Sequence, residues 1–183
     1  DISDPWRRAE SFETAPGVYD FTKDANAVWF MKRAVELGVT DVVMFANSPL
    51  ERLTISGKAH GDANADSKSN LAPENYQAFS DYYLDVVEHF VGEGLPIKFI
   101  SPINEPQWDW TSGQEGCHYS AADAWTVCKK VLDNLKASNA DAKLSAMESA
   151  NWTAGDYLRE VYGNLAGLLD THGDWIGNVS AHS

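Results

Sequence analysis

An α/β fold with a buried parallel sheet follows from three features of the sequence. Strand-like and helix-like segments alternate regularly along the chain. The strand segments are short, continuous apolar runs, as expected of parallel strands covered on both faces. None of them is followed by the glycine-rich phosphate loop that an open nucleotide-binding sheet would carry.

Residues 1 to 20 are turn-rich, with Pro5, Pro16, Gly17 and Asp20. A helix is expected from about Thr22, because Ala27, Phe30, Met31, Ala34, Val35 and Leu37 recur at helical spacing and Gly38 can close it. Asp41 to Ala46 has strand length. Residues 47 to 74, rich in Asn, Asp, Ser and Gly, form a long loop of the kind that is usually functional or disordered. A second helix spans about Glu74 to Val91, with Phe79, Tyr83, Val86, Val87 and Phe90 inward. Pro96 to Ile103 is the next strand, its ends placed by Pro96 and Pro102, since proline is poorly tolerated inside a ladder.

Ser120 with Asp123 resembles a capping box, opening a helix whose inner face is Ala124, Val127, Cys128, Val131, Leu132 and Leu135. Ala142 to Met147 is a strand. A fourth helix runs from about Ala154 to Leu169, with Tyr157, Leu158, Val161, Leu165 and Leu168 inward. Ile176 to Ala181 reads as a buried closing strand. With no phosphate loop, the pattern favours a (β/α)8 TIM barrel over an open doubly wound sheet. A full barrel takes about 250 residues, so the expectation is an incomplete one, about strands 3 to 6 with flanking helices. The chain has neither a signal peptide nor a starting Met, and both ends read as interior positions of a single partial barrel domain covering residues 1 to 183.

Composition narrows the function. The 183 residues carry 14 Lys and Arg against 27 Asp and Glu, a net charge of −13. Nucleic-acid binding needs a basic surface to displace counterions, and an anionic membrane or polyanion is disfavoured by the same field. A neutral ligand fits best. No apolar run approaches the roughly 18 residues of a membrane span. Cys117 and Cys128 lie eleven apart, which is not a metal-ligand spacing, and they suit a disulfide or two buried thiols equally. The histidines at 60, 89, 118 and 172 show no ligand spacing either, so no metal or cofactor is implied. Asn151-Trp152-Thr153 and Asn178-Val179-Ser180 fit the glycosylation sequon, the second inside the closing strand.

In a parallel barrel, catalytic groups gather where strands end. Those ends read Asn47-Ser48-Pro49, Asn104-Glu105-Pro106, Glu148-Ser149 and His182-Ser183. Each strand hands the mouth a polar or ionisable residue. Glu105 directly follows an apolar strand, at the edge of a low-dielectric core, where a carboxyl group is suited to proton transfer. Pro106 stiffens its turn, and Asn104 can bond a sugar hydroxyl. Trp108, Trp110 and Tyr119 share the loop, and aromatic faces pack on the C–H faces of sugar rings. Glu148 is either a second reacting carboxylate or, the preferred reading, a residue that orients substrate or acid. His182 is expected to line a subsite or orient a neighbour.

Phe45-Ala46-Asn47-Ser48-Pro49, then Gly57 and Asn70-Leu71, then Ser101 to Gln107, then Gln114-Glu115-Gly116-Cys117 together resemble glycoside hydrolase family 30. The Gln-Glu-Gly-Cys segment is similar to that of endo-β-1,6-galactanases. The resemblance implies a (β/α)8 barrel with an attached β-sandwich and retaining chemistry without a metal. It implies Glu105 as acid/base with Asn104 beside it, and Asn47, Ser48 and Pro49 after the third strand, where Leu50 replaces the usual second proline. The nucleophile it implies is a Glu ending strand seven, for which this chain offers no residue, so the 183 residues alone are expected to be inactive. The expected protein is a secreted or periplasmic monomer acting on neutral polysaccharide or oligosaccharide. A non-catalytic carbohydrate-binding barrel, a β-glucanase or xylanase of the same family, and a hydrolase using Glu105 with Glu148 remain as alternatives.

Overall fold

The structure, a computed structural model, describes residues 4, 6, 8–61, 69–111, 114–153 and 155–182, without the side chains of residues 155, 156 and 162. The extreme terminal residues and the expected helix start at Ala154 therefore lie outside the description.

Residues 1 to 20, expected to be turn-rich, contain an antiparallel hairpin not anticipated from the sequence. It pairs β1 (Glu13–Ala15) with β2 (Val18–Tyr19) across Pro16 and Gly17. Gly17 takes φ +71°, where a side chain would be strained. Then α1 (Ala25–Glu36), β3 (Val42–Phe45), α2 (Tyr76–Gly92), β4 (Ile97–Ser101), α3 (Ala121–Ala137), β5 (Lys143–Ser149), α4 (Gly155–His172) and β6 (Ile176–Ala181) follow in strict alternation. Every element expected beyond residue 20 is present, with boundaries moved by a few residues.

All three strand pairings of the main sheet are parallel, in the order β3-β4-β5-β6. The order never reverses, so successive crossovers wind the same way, and α2 packs on α3 and α3 on α4. No switch point of the doubly wound kind exists in it. The sheet is open, with β3 and β6 as its edges.

Between helices and sheet lies the core. Phe79, Val87 and Phe90 from α2 meet Ile100 of β4, Leu144 and Ala146 of β5, and Val127, Cys128, Val131, Leu132 and Leu135 of α3. Each fully buried Leu, Val or Phe contributes about 1.5–3 kcal/mol of transfer free energy. The Trp125 indole N–H donates to the Val161 carbonyl at 2.9 Å, tying α3 to α4. At the start of α3, Ser120 Oγ accepts from the Asp123 N–H, as the capping box predicts. Ser69, far upstream, completes the cap: its Oγ accepts the Ser120 N–H and donates to the Asp123 carboxylate. Burial opposes ionisation of Asp123, but hydrogen bonds from Ser69 and Ser120 outweigh it and hold the carboxyl below its ordinary range.

Two expectations fail at the sheet's edges. α1 has no buried residue; Val28 and Met31 touch the core, while Phe30 and Leu37, expected inward, are each 71% exposed. β3 and β6, expected to be covered on both faces, are half-exposed, and Asn178 of the second sequon lies exposed. The cause is the same in each case: burial of an edge strand or outer helix requires an element beyond it, and the described residues place none there.

Candidate active site

The four strand ends converge at one end of the sheet. Asn104 forms an isolated parallel bridge with Glu148, extending the β4–β5 ladder past its last regular pair. The Glu105 N–H donates to the Glu148 carbonyl at 2.6 Å, and the His182 N–H donates to the Ser149 carbonyl at 2.7 Å. Three rim residues from three strands are thereby placed by backbone hydrogen bonds alone.

Glu105 adopts φ +41°, a region non-glycine residues rarely enter and the following Pro106 restricts further. Such a residue costs on the order of 1–3 kcal/mol and persists only where its surroundings overdetermine it. Here they do. Its carbonyl accepts from the Trp108 N–H at 3.2 Å and from the Trp110 indole N–H at 3.0 Å. Its carboxylate Oε1 lies 2.6 Å from Nδ1 of His182.

The other side of that imidazole faces Glu148, with His182 Nε2 3.6 Å from Glu148 Oε2. Glu148 Oε1 accepts from Ser101 Oγ at 2.9 Å. Ser145 Oγ lies 3.1 Å from the same oxygen and 2.7 Å from Asn178 Oδ1, and its single hydrogen can serve only one of them at a time. The glutamate side chains are 21% (Glu105) and 15% (Glu148) exposed, against 41% for His182, so the pair opens to solvent chiefly along the histidine. Ser101 and Ser145 went unnoticed in the sequence. Both are buried, and only the order of the strands brings their hydroxyls to the same carboxylate.

Asn104 is buried, and its amide donates to Asn47 Oδ1 at 3.2 Å, linking the ends of β4 and β3. Its own Oδ1 has no hydrogen-bond partner in the structure. Ser48 stands half-exposed beside Asn47, followed by buried Pro49. Gln107 donates to Ser149 Oγ at 3.0 Å. Trp108 is 49% exposed at the rim, while Trp110 is half-buried and turned back on its own loop. Tyr119, expected with them, is fully buried.

A cleft of about 820 Å3 lies on the far side of Asn47 and Ser48, between the N-terminal hairpin, β3 and Glu115. Neither Glu105 nor Glu148 lines it. Burial raises the Glu115 carboxyl above its ordinary range, against a hydrogen bond from the Ala9 N–H. Cys117 and Cys128 are both buried and free, closing the disulfide alternative left open by the sequence. Among the described residues no His, Cys, Asp and Glu group could hold a metal ion, and no helix is long and apolar enough to cross a membrane.

Comparison with known proteins bears on this geometry. The chain is 34% identical over 124 residues to an exo-beta-1,6-galactobiohydrolase of Bifidobacterium longum subsp. longum, an overlap of 64% of this chain and 8% of that protein. A conserved exported protein from Bacteroides fragilis superposes with a TM-score of 0.77 at 29% identity, over 82% of this chain and 31% of that one. The catalytic domain of a family 30 xylanase C from Talaromyces cellulolyticus superposes at 0.69 and 16% identity, over 90% and 37%. The 183 residues thus span about a third or less of each of these proteins. The sequence pattern of O-glycosyl hydrolase family 30 matches residues 1–167, a stretch that includes every rim residue except His182. With the pattern running through the Asn-Glu-Pro turn and the strand ends around it, the chain belongs to O-glycosyl hydrolase family 30.

Proposed function

We propose that the protein carrying this chain cleaves a β-linked polysaccharide with retention, Glu105 being the proton donor and acceptor. The observation that carries the reading is the strained, fully tethered Glu105 at the end of β4, its carboxyl partly exposed and held 2.6 Å from His182. In the first step Glu105 protonates the glycosidic oxygen while a second carboxylate attacks the anomeric carbon. In the next, Glu105 takes a proton from the water that releases the sugar. That second carboxylate is a residue this sequence does not contain. Glu148 is poorly suited to the role, because Ser101 holds one of its oxygens and His182 faces the other.

His182 and Glu148 act as positioning residues for Glu105. Asn104 presents an unpartnered buried oxygen, suited to accept from a sugar hydroxyl beside the reacting carbon. Asn47 orients Asn104, Ser48 borders the same subsite, and exposed Trp108 offers a platform to a sugar ring. The sheet winds as a segment of a (β/α)8 barrel completed by further strands. The galactobiohydrolase relative supports β-1,6-linked galactan as substrate, and the exported relative supports action outside the cytoplasm.

Substitution Glu105→Gln in the complete gene product tests the assignment. Hydrolysis of β-1,6-galactan should fall by roughly 10²–10⁴-fold. An aryl β-galactoside with a nitrophenol leaving group, which departs without protonation, should lose far less in its glycosylation step. Equal losses on both substrates, or none, would refute Glu105 as the acid.

A further inference from the structure

We propose that Trp110 is a positioning residue for Glu105, its indole locking the backbone that aims the carboxyl. The inference rests on the acid/base reading above and adds a residue that acts through Glu105 and not on the sugar.

Two soft dihedral angles set where the Glu105 side chain points. The angle φ is fixed from one side, by the N–H bond to the Glu148 carbonyl at 2.6 Å. The angle ψ is set by the plane of the next peptide, and so by the direction of the Glu105 carbonyl. That carbonyl receives the Trp108 N–H and the Trp110 indole N–H, so both of its acceptor directions are taken. The first of these donors belongs to the turn itself. The second comes from a side chain and ties the turn to the loop beyond it, beside the Tyr119 N–H that donates to the Pro106 carbonyl at 2.9 Å.

The indole is fixed in its turn. A Cβ on Gly116 would stand 2.1 Å from Cδ2 of Trp110, so the ring lies flat where only glycine leaves room. Gly116 is held to the loop after β3, its N–H donating to the Ala59 carbonyl at 3.0 Å. Close by, a Cβ on Gly61 would meet the Asp109 carbonyl at 2.2 Å. Trp110 also sits at φ +51°, a second non-glycine residue in the left-handed region within the same turn. Two strained residues joined by one hydrogen bond and clamped at two glycines form a unit that a ring used only as filler would not require. One face of the indole is taken by Gly116, which separates Trp110 from exposed Trp108 in role.

The test is Trp110→Phe in the complete gene product, which keeps a ring and removes the donor. Galactan kcat should fall about ten- to a hundredfold, as expected for a displaced reacting group. KM should stay within about threefold, and the glycosylation step of the nitrophenyl galactoside, read as the burst of nitrophenol, should be largely retained, since it needs no protonation. Gly116→Ala, which leaves the indole intact and displaces it, should give the same selectivity, and serves if Trp110→Phe does not fold. A rise in KM with kcat unchanged would make Trp110 a sugar platform and overturn the proposal. So would equal losses on both substrates, or no loss. Glu105→Gln measured alongside separates the two ideas: if it lacks the leaving-group selectivity, the acid assignment itself fails, whatever Trp110 does.

Discussion

In the proposed reading, Glu148 is a carboxylate whose neighbours suit it to positioning and not to attack. Ser101 donates to one oxygen and His182 stands opposite the other, so the group is anchored to the sheet while Glu105 reaches the rim. Glu148→Gln keeps the shape, leaves one oxygen able to accept from Ser101, and removes the charge facing His182. We expect galactan turnover to fall only about tenfold, a loss of one charge-assisted contact worth about 1.4 kcal/mol, and far less than Glu105→Gln. Steady-state kinetics of the two variants side by side decide it; equal losses would restore Glu148 as a principal catalytic group. Most of these positions were legible at residue level, because Asn47, Glu105, Glu148 and His182 each fall at or just past the expected end of a strand. The left-handed turn at Glu105 was not, since nothing in Asn-Glu-Pro announces a positive φ outside glycine. Nor were Ser101 and Ser145, whose meaning depends on which strand neighbours which.

Among the elements, α3 was read almost without error because two independent cues agreed there: a cap and an apolar stripe. Its cap is also its weak point. Ser120→Ala removes the acceptor for the Asp123 N–H and one of the donors to the Asp123 carboxylate, and should lower unfolding free energy by about 1 kcal/mol. Urea denaturation of the complete gene product measures it, and Ser120→Asp, another good cap, should lose less unless the nearby Asp123 charge repels it. The hairpin of β1 and β2 was missed although Pro16-Gly17 is a turn dipeptide, because its strands are three and two residues long and carry no periodicity. α1 was expected and is present, but of its apolar stripe Ala27, Phe30 and Leu37 lie exposed, because periodicity alone cannot say which flank of a helix has a neighbour.

For the molecule as a whole, the buried thiols set an alkaline limit. Burial pushes Cys117 and Cys128 up to about 12, while an unfolded thiol ionises near about 8.5. Unfolding therefore releases protons above that lower value. The stabilisation is complete below it and declines as pH rises towards 12. Chemical denaturation at pH 8 and pH 10.5 should show the decline, and Cys128→Ala should flatten it; a slope unchanged by that substitution would remove Cys128 as a contributor. The winding of the sheet was legible from alternation alone, whereas its two bare borders were not. Among the described residues, Trp29 and Phe30 on α1, Leu37 just past its end, and Val43 and Phe45 along the border strand β3 are exposed apolar side chains. Produced by itself, this stretch would stick to its own kind and collect in the insoluble pellet of the host cell. Workers wanting it in solution should express a longer gene product, or fuse a carrier that shields that margin.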